Sequence, residues 1–190
     1  MFMEKAGEGI LPHFEIMTFT PSATVSPDLA GPLITLGAPK SLLERYRATN
    51  ELTRLEMPQI GSLVCFGICG VGITADSMCL NPHSDEIIEV FTHSTVPLGL
   101  VSSSLTQFTA SVRAVYNRVP FDSWHSGENM IDDDVLDRLQ KEWDTAADEL
   151  EETLEQIDAV AMDNRDGFWY TFLDDIRNGD YSTKSLLIPK

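Results

Sequence analysis

The side chains best suited to metal chemistry are three cysteines and a histidine near the middle of the chain. Three residues separate Cys65 from Cys69, and three separate Cys79 from His83. Three thiolates and one imidazole form a ligand set that binds zinc tetrahedrally. The usual two-residue spacing of a zinc knuckle is absent, however, and Cys65 and Cys69 fall within an apolar segment, where cysteine behaves as a small hydrophobic residue. We therefore predict no metal site, and reduced thiols as in a cytoplasmic protein.

A glycine cluster in the same region has the composition of a phosphate-binding loop. It reads Gly67-x-x-Gly70-x-Gly72, the reverse of the order in the dinucleotide-binding fingerprint. A P-loop would also need a lysine after its last glycine, and no lysine occurs between Lys40 and Lys141. A tight turn that uses the conformational freedom of glycine explains the cluster better. The sequence accordingly predicts no cofactor.

Three consecutive serines are candidate nucleophiles. Ser102, Ser103 and Ser104 would need a histidine and a carboxylate beside them in space, and His93 and His125 are available. Nothing in the spacing requires that arrangement, and the sequence contains no Gly-x-Ser-x-Gly motif. A serine that caps the following helix is the simpler explanation. We predict no catalytic residue, and a protein that is not an enzyme.

Charge divides the chain into two unequal parts. The whole chain holds 30 Asp and Glu against 13 Lys and Arg, a formal net charge of −17. Residues 122–180 alone hold 19 acidic and 4 basic residues, a net of −15. Such a surface repels nucleic acid and anionic lipid and attracts basic partners. No apolar run approaches the ~20 residues of a transmembrane helix. We predict a basic protein partner and no binding to nucleic acid or membrane.

A helix must position most of these acidic residues, because the apolar residues among them recur at spacings of three and four. The predicted helix begins at the aspartates 132–134 and turns its acidic side away from the apolar stripe. Like charges four residues apart on that side cost about 0.2–0.5 kcal/mol each. Either a solvated face or a surface shaped for a basic partner explains this loss. On the second reading, the residues that contact the partner are Asp137, Asp144, Asp148 and Glu151.

The N-terminal part of the chain, residues 1–58, reads as irregular and extended. Prolines interrupt residues 9–39 at regular intervals, which disfavours a helix there. A helix is possible over residues 41–55, because Ser41 and Glu44 have the spacing of a capping box.

The remaining elements follow in two blocks. Residues 59–101 alternate apolar runs with turn residues, which predicts antiparallel hairpins. Residues 102–179 show helical periodicity, with helices over 105–116, from 132 to 157 and over 166–178. Strands followed by helices are typical of an α+β fold. We predict that residues 1–190 form a single domain of this class.

Several short segments, spread over residues 9–179, occur in a recognisable order. They are Gly9-Ile10-Leu11-Pro12, Ile60-Gly61, Met78-Cys79-Leu80-Asn81, Ser102-Ser103-Ser104-Leu105 with Phe108, and Phe168-Trp169 with Ile176 and Gly179. In this order and spacing they resemble the SUKH superfamily of bacterial immunity proteins, and they are most similar to its fourth group. Asn81 stands where that group usually has Asp, and Ser102 stands where it has Asn.

The resemblance implies a mixed, mostly antiparallel sheet flanked by helices. It also implies a cytoplasmic protein that neutralises a toxin of a polymorphic toxin system, often a nuclease or deaminase, by direct binding. The family brings no catalytic residues. The alternatives are a regulatory or scaffolding module of the same fold, and an enzyme with a site in the Cys/His hairpin. The sequence leaves the oligomeric state and the identity of the toxin open.

Overall fold

The computed structural model describes residues 11–21, 24–58, 60–70, 75–92, 98–130 and 132–187. This part of the chain forms eight strands and five helices. In chain order they are β1 (Ile16–Met17), α1 (Pro27–Leu36), β2 (Ala38–Pro39), β3 (Ser41–Leu42), β4 (Tyr46–Met57), β5 (Gly61–Cys69), β6 (Asp76–Leu80), β7 (Ile87–Val90), β8 (Leu98–Ser102), α2 (Leu105–Arg118), α3 (Asp133–Asp158), α4 (Phe168–Arg177) and α5 (Thr183–Leu187).

Six of the strands form one sheet in the order β3-β4-β5-β6-β7-β8. Each strand therefore pairs with its neighbours in sequence, as short connections favour. β1 and β2 form a separate two-stranded pair. Every pairing among the described strands is antiparallel. The α+β class and the predominantly antiparallel sheet predicted from the sequence are thereby confirmed.

The helices cover one face of the sheet. α2 and α4 pack against β8, and α3 packs against both of these helices. The ring of Phe108 in α2 lies 6.3 Å from Phe66 in β5 and 6.4 Å from Trp169 in α4, measured between centroids. The indole of Trp169 also donates a 2.8 Å hydrogen bond to the Val101 carbonyl of β8. Helices predicted over 105–116, 132–157 and 166–178 correspond to α2, α3 and α4.

The helix predicted over residues 41–55 is wrong, because most of this segment is strand β4. β4 pairs with β5 at both ends, from Tyr46 to Ala48 and from Thr53 to Met57. Its Tyr46 side chain is buried, which ties the strand to the main core. Ser41, expected to cap a helix, lies in β3, where its hydroxyl is 3.0 Å from the hydroxyl of Tyr116.

The expectation of no helix within residues 9–39 is also wrong, because α1 occupies Pro27–Leu36. Pro27 stands at the start of the helix, where a residue without an N–H is tolerated and its fixed φ is favourable. Pro32 lies inside the helix, and Leu33 anchors it in the core. Burial of its apolar side outweighs the cost of the internal proline.

A second, smaller apolar cluster lies on the other face of the sheet. Its buried members, which we call the outer cluster, are Leu63, Cys65, Cys79, Ile88 and Val90. Cys65 and Cys79 are directly opposite in the β5–β6 register, with Cα atoms 4.0 Å apart, and form a disulfide. The prediction of reduced thiols is therefore wrong for these two residues, since strand register brings them together. Cys69 is a buried free thiol.

The glycine cluster serves the sheet. Gly70 has a φ of +75°, which favours glycine, and it follows β5 directly. Gly67 lies inside β5, where the ring of Tyr46 and the carbonyl of Arg47 occupy the space that a Cβ would need. Gly70 thus has the positive φ that the tight-turn interpretation predicts, whereas Gly67 permits close packing of β4 on β5. Gly72 lies outside the described residues.

Candidate protein-binding surface

The candidate surface is the exposed side of α3. The carboxylate of Asp132 caps the helix by accepting a 3.3 Å hydrogen bond from the N–H of Asp134. Asp133 and Asp134 occupy the first turn, where negative charge is favourable for the helix dipole. Buried residues recur along the helix and fix which side faces the core: Leu139, Trp143, Ala146, Ala147, Leu150, Leu154 and Asp158.

Two of the four predicted contact residues are exposed and have no ion-pair partner among the described residues. Asp137 and Asp144 are exposed, and no Lys or Arg of the described residues forms an ion pair with either carboxylate. The side-chain amide of Gln140 donates a 3.1 Å hydrogen bond to Asp144. Neither carboxylate is therefore paired with a basic side chain within the described residues.

The other two predicted contact residues are bound to an arginine of α4. The Nη2 of Arg177 lies 3.0 Å from an oxygen of Asp148 and 2.9 Å from an oxygen of Glu151. The Asp148 side chain is 71% exposed, whereas that of Glu151 is only 20% exposed. Arg165, in the turn before α4, contacts Glu151 at 3.3 Å. Asp148 thus still faces solvent, while Glu151 is part of the junction between α3 and α4.

The acidic side of α3 also contacts neighbouring elements of the fold. Gln140 donates a hydrogen bond to the Arg177 carbonyl, so this flank of α3 faces α4. On the other flank, Arg118 of α2 forms a 2.8 Å ion pair with Glu149. Arginines from neighbouring elements therefore offset part of the repulsion between like charges along α3. Nothing in the local spacing of the sequence indicates these partners.

A groove of about 650 Å³ runs beside Asp137 between α3 and the chain that follows α2. Acidic and basic side chains both line it, including Asp134, Asp137, Arg138 and Lys141. Arg138 is held by Glu128 at 2.7 Å and by Glu142 at 3.2 Å. The groove is close to neutral, because its acidic and basic side chains nearly balance.

Two of the three serines hold the far end of α3 to the sheet, and the third caps α2. The Ser104 hydroxyl accepts a 3.2 Å hydrogen bond from the N–H of Gln107, so the predicted capping role is confirmed. Ser102 and Ser103 donate hydroxyl hydrogen bonds of 2.5 and 2.6 Å to Asp158. Burial raises the pKa of Asp158, but hydrogen bonds from Ser102, Ser103 and the N–H of Ala161 outweigh burial and lower that pKa overall. The hydroxyl groups of Ser102 and Ser103 are thus committed to a structural carboxylate.

The cysteines and histidine considered as zinc ligands do not meet. Cys65 and Cys79 share a disulfide in the outer cluster, whereas Cys69 belongs to the main core on the opposite face. The N–H of His83 donates to the Asn81 side chain in the turn after β6. Because the candidate ligands point to different faces of the sheet, this set cannot form one tetrahedral site.

A buried polar cluster beside the helices was not predicted. Glu89 of β7 is 4% exposed and shares a hydrogen bond with the Cys69 thiol. Burial raises the pKa of Glu89, while the guanidinium of Arg45 and the Cys69 hydrogen bond act in the opposite direction. Burial and the nearby Glu89 raise the pKa of the Cys69 thiol. Arg45 itself stacks over the Phe168 ring at 5.0 Å. The sequence does contain one indication of this cluster, because Glu89 interrupts the apolar run of β7.

Comparison with known proteins gives one family. The family model described as SUKH-4 immunity protein matches residues 5–175. No curated protein and no solved structure matches the chain. Separately, none of the helices in the described ranges combines the length and apolar character needed to cross a membrane.

Proposed function

Because the chain belongs to the SUKH-4 immunity protein family, we propose that it neutralises a toxin protein by binding it directly through the exposed side of α3. Membership gives the protein an immunity role. The single observation that carries the choice of surface is the pair Asp137 and Asp144, which are exposed on one helix and have no ion-pair partner among the described residues.

The toxin that fits this surface is a basic protein. Enzymes that act on nucleic acid, such as nucleases and nucleic-acid deaminases, carry positive charge where they bind phosphate. A net charge of −15 over residues 122–180 attracts such a surface and accelerates association. The bound immunity protein then covers the site where the toxin would engage its substrate. The same charge disfavours competing binding of the immunity protein to nucleic acid or anionic membranes.

The four acidic residues have different roles in this proposal. Asp137 and Asp144 contact basic side chains of the toxin directly. Asp148 contributes charge from a position already neutralised in part by Arg177. Glu151 acts as a positioning residue, because it anchors Arg165 and Arg177 and thereby fixes α4 against α3. No catalytic group is required, which agrees with the generally non-enzymatic character of immunity protein families.

The site of action is the cytoplasm, where a toxin directed at nucleic acid meets its target. Disulfides are rare in that compartment, so the Cys65–Cys79 disulfide counts against this location, and the redox state of the two cysteines in cells tests it. Thiols of the protein are alkylated in intact cells and counted by mass spectrometry. Modification of Cys65 and Cys79 supports a reducing compartment, whereas their protection speaks against the cytoplasm.

The direct test of function is co-expression with the product of the adjacent gene. The expected result is that the adjacent protein arrests growth alone, and that the immunity protein restores growth and co-purifies with it. If the adjacent protein is harmless, or growth is restored without a complex, direct neutralisation of that protein is refuted. A complex without toxicity would instead favour a regulatory or scaffolding module.

The surface is tested by reversing charge at matched positions. The double variant Asp137→Lys/Asp144→Lys is compared with Asp28→Lys/Glu51→Lys, whose exposed sites lie on α1 and β4. Both variants change the net charge equally. The α3 variant should lose at least tenfold in the association rate and should show a weaker dependence on salt. Equal losses in both variants would mean that total charge matters and that α3 is not the contact surface.

A further inference from the structure

Among the described residues, the C-terminal half of β4 is an unpaired edge of the six-stranded sheet. β3 pairs with β4 only at Tyr46 and Arg47, and one further backbone hydrogen bond joins Ala48 to Lys40. Residues 53–57, which we call the β4 edge segment, pair with β5 on one side. Within the described part of the chain, no strand lies on their other side. Such an edge presents main-chain groups that can pair with another strand.

The register identifies which main-chain groups point outward. The Cα atoms of Cys65 and Cys79 are 4.0 Å apart, as in a non-hydrogen-bonded pair, so the main-chain groups of Cys65 point toward β4. Thr53, opposite Cys65, therefore points its own groups toward β5. By alternation, the N–H and C=O groups of Arg54 and Glu56 point away from the sheet.

These two residues are complementary in an antiparallel pairing of the segment with itself. When the two-fold axis passes through Leu55, Arg54 of each copy stands opposite Glu56 of the other. Each such pair can exchange two backbone hydrogen bonds, and opposite charges at directly opposed positions are favourable. An axis through Arg54 or through Glu56 would instead place like charges together. Of the registers that bring the outward-pointing N–H and C=O groups of the two copies together, charge therefore favours the one centred on Leu55.

The side chains on both faces of the segment suit this arrangement. Leu55 and Met57 are partly buried and pack on the outer cluster, so a second copy would extend that apolar surface. Arg54 and Glu56 point to the opposite face, where they form an ion pair with each other and contact the Ser62 hydroxyl. Their side chains are 46% and 61% exposed and can reach across the edge.

From these observations we infer that the β4 edge segment is a homodimer interface, in which two copies of the chain pair antiparallel about Leu55 and form one continuous sheet. The interface is small, so the dimer is weak and dependent on concentration. The interface lies on the sheet rather than on α3. The inference is therefore independent of whether α3 binds a toxin.

The experiment measures mass in solution by sedimentation, with the full chain at micromolar to millimolar concentrations. The wild-type mass should rise from 21.1 kDa toward twice that value. Arg54→Glu and Glu56→Arg should each remain monomeric, because each brings like charges together in the pairing. The double variant Arg54→Glu/Glu56→Arg restores complementarity and should dimerise like the wild type. A mixture of the two single variants should form a heterodimer.

Several results would overturn the inference. One is a wild-type chain that stays monomeric at millimolar concentration, and another is a single variant that dimerises as strongly as the wild type. Circular dichroism and thermal unfolding establish that each variant is folded before its mass is interpreted. If the chain is monomeric but Arg54→Glu weakens capture by a toxin, the edge belongs to that partner, and self-pairing is refuted.

Discussion

The indole Nε1 of Trp143 donates a 2.6 Å hydrogen bond to the carboxylate of Asp122, and both residues are buried. The same carboxylate accepts hydrogen bonds of 3.0 Å from the backbone N–H groups of Thr183 and Trp124. Asp122 therefore joins three parts of the fold: the segment after α2, the helix α3 and the start of α5.

Removal of the Asp122 carboxylate should destabilise the protein, because it leaves buried donors without an acceptor. We expect Asp122→Ala to lower the free energy of unfolding by about 2–4 kcal/mol and Trp143→Phe by about 1–2 kcal/mol. The two changes should not be additive, with a coupling energy of about 0.5–3 kcal/mol in a double-mutant cycle. Urea denaturation of the four proteins measures this coupling. Strict additivity would show that the hydrogen bond contributes nothing specific.

Asp158 should make stability depend on acidity. Its folded pKa is lowered below its ordinary value of 3.8, so its contribution is present above that value. As pH falls through the folded pKa, the carboxylate gains a proton and the contribution is lost. Asp158→Asn should therefore reduce stability at neutral pH and flatten the loss of stability in acid. Denaturation at a series of pH values tests this, with exposed Asp163→Asn as the control that should leave the profile unchanged.

Glu89 should make the protein less stable as pH rises, the opposite of the effect expected from Asp158. Its folded pKa is raised above the ordinary value of 4.5, so the folded state holds the proton more tightly than the unfolded chain does. The free energy of unfolding should therefore decrease as pH rises from about 4.5 toward the raised pKa. Glu89→Gln should remove this decrease and raise the melting temperature relative to the wild type at pH above neutral. The exposed control Glu51→Gln should do neither.

Gly179 should tolerate no side chain. Its φ is +76°, and a Cβ would lie 2.7 Å from ring carbons of Trp143. Gly127 also has a positive φ, of +118°, but has open space where its Cβ would be. We expect Gly179→Ala to cost about 2–4 kcal/mol, and Gly127→Ala about 1–2 kcal/mol from the backbone alone. Equal losses in thermal or urea unfolding would show that the Trp143 contact is unimportant.

The sequence predicts elements well where a single packing direction leaves a regular pattern. α2 and α3 each bury one stripe, so their apolar residues recur at helical spacing. β4 leaves no regular pattern, because its register shifts between Ala48 and Thr53 and interrupts the alternation of a strand. The capping-box spacing of Ser41 and Glu44 then supplied a misleading local signal, which long-range pairing with β5 overrides.

The candidate surface was predictable only in its charge. The acidic composition of α3 is visible in the chain, whereas Arg177 lies 29 residues from Asp148 and 26 from Glu151. Only the packing of α4 on α3 brings this arginine to those carboxylates. The cross-strand pairing of Cys65 with Cys79 depends on register in the same way. Contacts set by tertiary structure leave no mark in local spacing.

The hydrogen bonds that hold α3 in the fold affect how tightly a partner can bind to this helix. Asp122 accepts a hydrogen bond from Trp143 of α3, and Asp158, the last residue of α3, accepts one from Ser102 of β8. Because these hydrogen bonds already order α3, the helix loses little conformational entropy when a partner binds. More of the contact energy then remains as affinity. Loss of either anchoring carboxylate should therefore shorten the lifetime of a complex, although neither Asp122 nor Asp158 is one of the predicted contact residues.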